Sequence, residues 1–473
     1  MLPALWTVHT PFWWVLRPIS PSKKAQSSIL KTCSRAKTSK MNTPAASRPG
    51  CTCSEREGCT MKKYAFAGAS QRALWMYCKP MLESYQDVAV PCGVYDINFG
   101  RSQSFVKESG GNFKAYEDFD EMLRVEKPDC VIVTTADAYH AEYIVRALEA
   151  GCDAITEKPM TINEVMCRDI LEAEKRTGRK VTVTFNYRYS PVNTKIKELL
   201  SQGLLGEIYS VHFEWLLTRN MALDGHGASY FRRWNSRMEK SGGLLVHKAT
   251  HHFDLINWWI DQKPAKVSAF GQLRLFGGKN YPFGEKVMPG QRCSNCSYID
   301  KCDFYWEIDD FDKRYYQSNE KHDGYIKDNC VYAEDIDIYD TMGVTVQYDK
   351  GAIMTYSLNA TTPYDGHHIV INGSLGRLEM RLYSTGFEAE KQVHIRFYDL
   401  NNNVTDYAIT KATGGHGGGD EKIRQMLFRG NTADPLGHAA GAMAGAYSIL
   451  IGAAANNSIA TGQVVDIEEL LNG

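Results

Sequence analysis

From Met61 onward, short apolar runs alternate with stretches of helical spacing. Residues 63–67, 88–95, 129–134, 152–156 and 181–187 are runs of near-continuous hydrophobicity, as expected of strands covered on both faces. Between them, residues 73–83, 118–124, 141–150 and 162–177 repeat apolar positions at helical spacing, and Gly151 is a natural residue to follow the third of these helices. The alternation predicts a doubly wound parallel sheet over residues 61–183. After Arg188 the rhythm changes. Residues 207–215, 266–273, 344–348, 351–358, 368–372, 376–381 and 394–398 are β-rich and separated by loops and hairpin turns such as Tyr348-Asp349-Lys350-Gly351. They predict a second domain over residues 184–473, α+β in class, built on a large, open, mainly antiparallel sheet. Among its early strands stands a helix opened by Ser241-Gly242-Gly243 that carries residues 244–254. An Ala-rich helix over residues 438–455 closes the chain. A polar, aromatic-rich insertion occupies about residues 276–331.

Residues 1–60 have a different composition. No Asp or Glu precedes Glu55, while Arg17, Lys23, Lys24, Lys31, Arg35, Lys37, Lys40 and Arg48 are basic. This is the make-up of a transit peptide or a disordered leader, and a functional start at Met61 is the alternative. His9 and Pro11 interrupt the apolar opening, which argues against a secretory signal. The net charge is −1, so no electrostatic footprint for nucleic acid or an acidic membrane exists. No run reaches the ~20 apolar residues of a membrane span.

Thirteen cysteines are present. Cys33, Cys51, Cys53 and Cys59 lie in the extension. Cys78, Cys92, Cys130, Cys152 and Cys167 are scattered as small buried hydrophobes, a usage that fits a reducing compartment. That compartment is the cytoplasm, or an organelle if residues 1–60 are a transit peptide. Cys293, Cys296, Cys302 and Cys330 cluster in the insertion. A C-x2-C pair commonly opens a tetrahedral zinc site, so four thiolates would close a structural zinc. An iron–sulfur cluster, disulfides and free thiols are the alternatives.

The first strand ends in Gly68-Ala69-Ser70-Gln71-Arg72-Ala73 and the second in Asp96. Strand, tight turn, helix, strand and acid form the grammar of dinucleotide binding. The turn brings backbone N–H groups to a pyrophosphate, and the acid receives the ribose hydroxyls. Ser70 and Ala73 stand where the second and third glycines would be, and the distance to Asp96 exceeds the usual ~20 residues. Asp96 favours NAD over NADP, because a 2′-phosphate would meet a carboxylate, while Arg101 close by works the other way. Thr135 and His140 follow the 129–134 strand, with His140 expected to cap or pack near the cofactor. Glu157-Lys158-Pro159 ends the 152–156 strand, where an α/β sheet binds its ligands.

Together these pieces resemble the oxidoreductase family named for glucose–fructose oxidoreductase, inositol dehydrogenase and a rhizopine-catabolism protein (Gfo/Idh/MocA). The resemblance covers about residues 62–470. It is carried by Gly68 to Ala73, Asp96, Thr135 to His140, Glu157-Lys158-Pro159, the Gly242-Gly243…His247…His251…Asp254 helix and the Ala-rich closing helix with its Thr461-Gly462 and Val465-Asp466. It implies a Rossmann domain holding NAD or NADP, an open-sheet domain, and redox chemistry at a hydroxyl of a sugar, cyclitol or related polyol. The family pattern has an acid four residues before its histidine. Here His247 holds the acid's place and His251 the histidine's, at the i, i+4 spacing that shares one helical face.

The expected chemistry is hydride transfer at a secondary hydroxyl. His251 is the first candidate base, with Lys158 steadying the developing alkoxide. A Lys158 whose pKa is lowered by burial and by the nicotinamide charge is the alternative base. Tyr187, Arg188, Arg232, Arg233, Trp234, His247, Asp254 and His416 are candidates to line the substrate crevice. Surface ion pairs are the plain alternative for Arg232 and Arg233, and a mere mobile loop for the Gly-rich 414–419 run around His416. His252 reads as structural. Other functions are a redox-neutral NAD-dependent glycosidase, which would show no net cofactor reduction, and a non-catalytic nicotinamide sensor, which would need neither Lys158 nor His251. A metal hydrolase on His247-x3-His251 lacks the glutamate of H-E-x-x-H, since position 248 is Lys. A homo-oligomer through an uncovered face of the open sheet is expected.

Overall fold

The computed structural model describes residues 61–473 apart from 224, 285–290, 387–390, 413–414 and 431–432. The expectations for residues 1–60, with Cys33, Cys51, Cys53 and Cys59, lie outside the described residues.

The first sheet is built from β1 (Lys62–Ala67), β2 (Ala89–Tyr95), β3 (Lys114–Tyr116), β4 (Cys130–Val133), β5 (Asp153–Thr156) and β6 (Val181–Val183). These strands are parallel, in the order β6-β5-β4-β1-β2-β3. The order reverses between β1 and β4, so a crevice opens beyond their carboxyl ends. Helices Phe119–Glu126 and Glu164–Thr177 start at Asp118 and Asn163, whose side chains accept the N–H of Glu121 and Met166. Such caps satisfy amides that have no partner within the helix.

The second sheet contains β7 (Ile208–Thr218), β8 (Pro264–Gln272), β9 (Thr341–Tyr348), β10 (Ile353–Thr362), β11 (Gly366–Gly373), β12 (Gly376–Tyr383), β13 (Gln392–Asp399) and β14 (Val404–Thr410). Its order is β14-β13-β12-β11-β7-β10-β9-β8, and only the β10–β7 pair among these is parallel. The chain then returns to both sheets. β15 (Ala440–Gly441) adds antiparallel to β6, and β16 (Val465–Asp466) adds to β8. Helix Ala442–Thr461 runs between them and packs on both cores.

Several local expectations are corrected. The 181–187 run is a strand only to Val183, because the Phe185 and Asn186 N–H groups turn back onto Val183 O and Thr184 O. A 3-10 turn, Asn186–Tyr189, follows. The 244–254 helix is two helices, Leu244–His247 and Thr250–Ile260. The turn widens there, since the Ala249 N–H reaches back to Leu244 O, and the even spacing that would align His247 with His251 is lost. β3 and β14 went unpredicted because they are short or polar. β14 is an edge strand without a buried residue.

The second sheet's apolar face is covered by this chain's own helices. Val211, Phe213, Val344, Val346, Met354 and Leu358 are buried against Phe253, Ile256 and their neighbours. The outward face carries Ser210, His212, Glu214, Thr345, Gln347, Thr355 and His368, and its exposed apolar members include Phe270, Ile353 and Val404. The face of this sheet left open is therefore its outward, mainly polar one. Among the described residues, no helix is long and apolar enough to cross a membrane.

Candidate active site at the strand ends

β1 delivers Gly68 into the turn at φ +100°. A Cβ there would stand 2.7 Å from the Thr134 carbonyl carbon and the Thr135 nitrogen, so only glycine fits. The Ala69 N–H donates to Asp96 Oδ2 at 2.8 Å, and Ser70 Oγ accepts the Ala73 N–H at 3.1 Å. The turn, the helix beginning at Ala73 and the acid ending β2 thus stand together as dinucleotide binding requires. NAD or NADP would be held here, its pyrophosphate at the turn and its adenosine ribose at Asp96.

Arg72 and Glu157, expected to touch the cofactor, are tied to each other. Arg72 Nε donates to Glu157 Oε1 at 2.7 Å, and its Nη atoms reach Asp420 at 3.0 and 3.1 Å. Tyr77 OH donates to Glu157 at 2.6 Å. Burial raises the Glu157 pKa, but Arg72 and Tyr77 outweigh it and hold the carboxyl below its ordinary value. These groups fasten the loop at Asp420 to the nucleotide turn. The His140 ring nitrogens lie 2.8 Å from Pro159 O and 3.1 Å from Thr135 O. His140 therefore ties two strand ends together, in the packing role expected of it.

Lys158 emerges beyond β5 and donates from Nζ to His247 O at 3.1 Å. Burial and the neighbouring Lys248 ammonium lower its pKa to about 8, against the pull of Asp137 and Glu157. His247 Nδ1 lies 2.6 Å from Asp137 Oδ2, and Asn235 Nδ2 stands 3.2 Å from its Nε2. Trp234 meets the same ring edge-on at 5.4 Å. Burial disfavours charge on both partners, pushing Asp137 well up and His247 well down. Sequence reasoning passed over Asp137. Its signal was an acid just beyond an apolar strand's carboxyl end, inside the Thr135-to-His140 stretch.

His251 is 1% exposed, and among the described residues neither ring nitrogen has a hydrogen-bond partner. Its ring stacks on Tyr187 at 4.0 Å and 10°, with His416 at 6.3 Å. Burial, with Lys158 and Lys248 nearby, pushes its pKa well down, so the imidazole is neutral. His416 reaches Tyr187 from the Gly-rich loop at 5.7 Å, and its Nδ1 lies 3.1 Å from Asp420. Lys248 is a second residue that sequence reasoning left aside. Its buried ammonium lies over Trp215 at 5.1 Å and Tyr187 at 5.9 Å. Lys158, Lys248, His251 and Tyr187 form a buried cationic cluster against aromatic rings, and unpartnered imidazole nitrogens point to a polar ligand.

Other expected residues are committed to contacts of their own. Arg188 and Asp254 form a buried two-pronged ion pair at 2.8 and 2.5 Å, and Arg188 Nη1 also donates to Gly437 O at 3.0 Å. Three of the five guanidinium N–H groups are committed in this way, and the pair lines a cavity with Asn257, Trp258 and Lys263. His252 is structural, as expected, packed on Trp215 at 3.8 Å with Nδ1 2.8 Å from Tyr356 OH. Arg233 Nε donates to Ser229 O at 3.2 Å, and its guanidinium lies 5.9 Å over Tyr230.

The four cysteines of the insertion line one small cavity with Arg232, Tyr281, Phe304 and Val331. Arg232 donates to Cys293 Sγ at 2.9 Å and to Phe304 O at 2.5 Å. Among the described residues, no group of three or more His, Cys, Asp or Glu is arranged to hold a metal ion. The expectation of a structural zinc therefore gains no support from their arrangement. A buried guanidinium already supplies positive charge beside the sulfurs, and Arg232 is no surface ion-pair partner.

Comparison with known proteins agrees with this geometry. Residues 62–185 match the Gfo/Idh/MocA description "Oxidoreductase family, NAD-binding Rossmann fold". Residues 197–467 match "Oxidoreductase family, C-terminal alpha/beta domain". A Bacillus subtilis protein named as the oxidoreductase YteT is 38% identical over 431 residues, covering 87% of this chain and 99% of its own. Glucose-6-phosphate 3-dehydrogenase of the same organism is 31% identical over 170 residues, 36% of this chain and 45% of its own. A levoglucosan dehydrogenase solved with NADH and L-sorbose shares the fold at a TM-score of 0.61 and 16% identity, over 86% of this chain and 98% of its own.

Proposed function

The chain belongs to the Gfo/Idh/MocA oxidoreductase family, and we propose that it transfers hydride between NAD and a secondary hydroxyl of a sugar, cyclitol or glycoside. The observation that carries this reading is the convergence of Lys158 and the unpartnered His251 beyond the carboxyl ends of the strands, beside the nucleotide turn. Relatives named inositol 2-dehydrogenase/D-chiro-inositol 3-dehydrogenase and glucose-6-phosphate 3-dehydrogenase support the substrate class.

The nicotinamide supplies the hydride acceptor or donor. The protein's part is the proton and the position of the oxygen. Lys158, with a pKa of about 8, is matched to accept a hydroxyl proton near neutral pH, as acid–base catalysis favours. His251 stays neutral and offers one nitrogen as donor and the other as acceptor for substrate hydroxyls. This exchanges the roles expected from sequence, because burial and the neighbouring ammonium groups push the imidazole well below its ordinary value while the amine stands at about 8. Lys248 adds charge against a developing alkoxide. Arg72, Glu157 and Asp420 hold the loop carrying His416 over the same crevice.

The test incubates the full chain with NAD or NADP and a panel of inositols, free sugars and glycosides, reading reduced-nicotinamide absorbance. Reduction with one substrate class, lost in Lys158→Ala, is expected. Aglycone release that needs NAD but yields no net reduction would replace this reading with the redox-neutral glycosidase.

A further inference from the structure

The inserted arm at residues 310–323 lies directly on the nucleotide turn. Tyr315 OH donates to Ala69 O at 3.0 Å, and Tyr316 OH accepts the Gln71 N–H at 2.9 Å. Asn98 Nδ2 donates to Asn319 O at 2.9 Å. A Cβ on Gly100 would stand 2.4 Å from Asn319 Oδ1, so the helix after β2 is kept bare where the arm seats. At the arm's end, Arg101 Nη2 meets Asp96 Oδ1 at 2.7 Å and Asp323 Oδ2 at 2.8 Å. The three side chains are 9–13% exposed, and the guanidinium lies 6.0 Å over the Tyr316 ring.

An arginine beside the acid that ends β2 is the group that would receive a 2′-phosphate. Here two carboxylates share that guanidinium, and the cluster is left net negative. Arg101 cannot turn to a phosphate without abandoning a buried carboxylate, which is costly. We propose that Asp323, supplied by the insertion 222 positions along the chain from Arg101, is a specificity-determining residue that withholds Arg101 from a 2′-phosphate and makes the site select NAD over NADP. The inference rests on the nicotinamide-dependent reading above. It assigns the insertion a task at the cofactor site, and it resolves the opposed influences of Asp96 and Arg101.

The experiment measures binding of NAD and NADP to the full chain by calorimetry, for the wild type, Asp323→Asn, Asp323→Glu and Asp323→Asn/Arg101→Ala. The wild type is expected to prefer NAD. Asp323→Asn, which keeps the side chain's shape, should tighten NADP by about tenfold, the scale of one relieved charge contact, while NAD changes little. Asp323→Glu should keep the preference, and the double variant should lose the gain, because the phosphate would be received by Arg101. An unchanged NADP-to-NAD ratio in Asp323→Asn, with NAD still bound, would overturn this proposal and leave the oxidoreductase reading standing. A wild-type chain that prefers NADP would overturn it equally. A wild-type chain that binds neither cofactor would overturn the underlying reading and this proposal with it.

Discussion

The Asp137 carboxyl lies 2.6 Å from the His247 imidazole across 110 positions of sequence. One comes from the turn after β4, the other from the last turn of a short helix in the second domain. Their contact places the His247 carbonyl on Lys158 Nζ, so it aligns the proposed acid–base group as well as joining two domains.

Asp137 also raises the Lys158 pKa through its charge. Asp137→Asn is therefore expected to shift the rise of oxidation rate with pH toward lower pH, while NAD affinity stays within about threefold. A purely structural Asp137 would lower the rate without moving the profile. Initial rates across pH for both proteins separate the two.

Lys158→Ala is expected to reduce kcat by about 10²–10⁴, the usual share of a positioned acid or base, without releasing the cofactor. In the wild type, oxidation requires the neutral amine, so kcat/KM should climb with pH and level off above about 8. Reduction requires the ammonium and should fall over the same window. A profile flat through that window would remove Lys158 from the proton transfer.

Asp254→Ala leaves Arg188 charged, buried and unpaired. The expected loss is about 3–5 kcal/mol of stability, read by chemical denaturation, with KM of the remaining folded enzyme little changed. Replacing both partners by apolar residues of similar volume should cost less. A large rise in KM at full stability would return the pair to the substrate site.

Asp420 anchors the His416 loop. Burial raises its pKa, but the contacts from His416 and Arg72 outweigh this and hold it well below the ordinary carboxylate value. A depressed folded-state pKa stabilises fully above the ordinary value of ~3.9 and progressively less as pH falls below it. The wild type should thus exceed Asp420→Asn in Tm at neutral pH, and the two should converge in acid. The variant should also show a raised KM, because its loop is no longer fastened over the crevice.

Sequence alone determined the alternation of strand and helix, the Gly68 turn, Asp96 and the strand-end Lys158. Each depends on local rules: a buried parallel strand is a short apolar run, a turn at φ +100° needs glycine, and ligands meet a parallel sheet at its carboxyl ends. Motif order also placed His251 in the site. Only the tertiary structure decided who pairs with whom. Arg72, Glu157, Arg188 and Asp254 are charged residues of kinds that line sites, yet they neutralise one another because burial demands partners. Asp137 reaches His247, and Asp323 reaches Arg101, across 110 and 222 positions. No periodicity records such distances, since the chain's crossings between its two sheets create them. The proposed ranking of Lys158 over His251 as proton acceptor belongs to the same class. It follows from how deeply each is buried and from which charges stand beside it, quantities that exist only once the chain has folded.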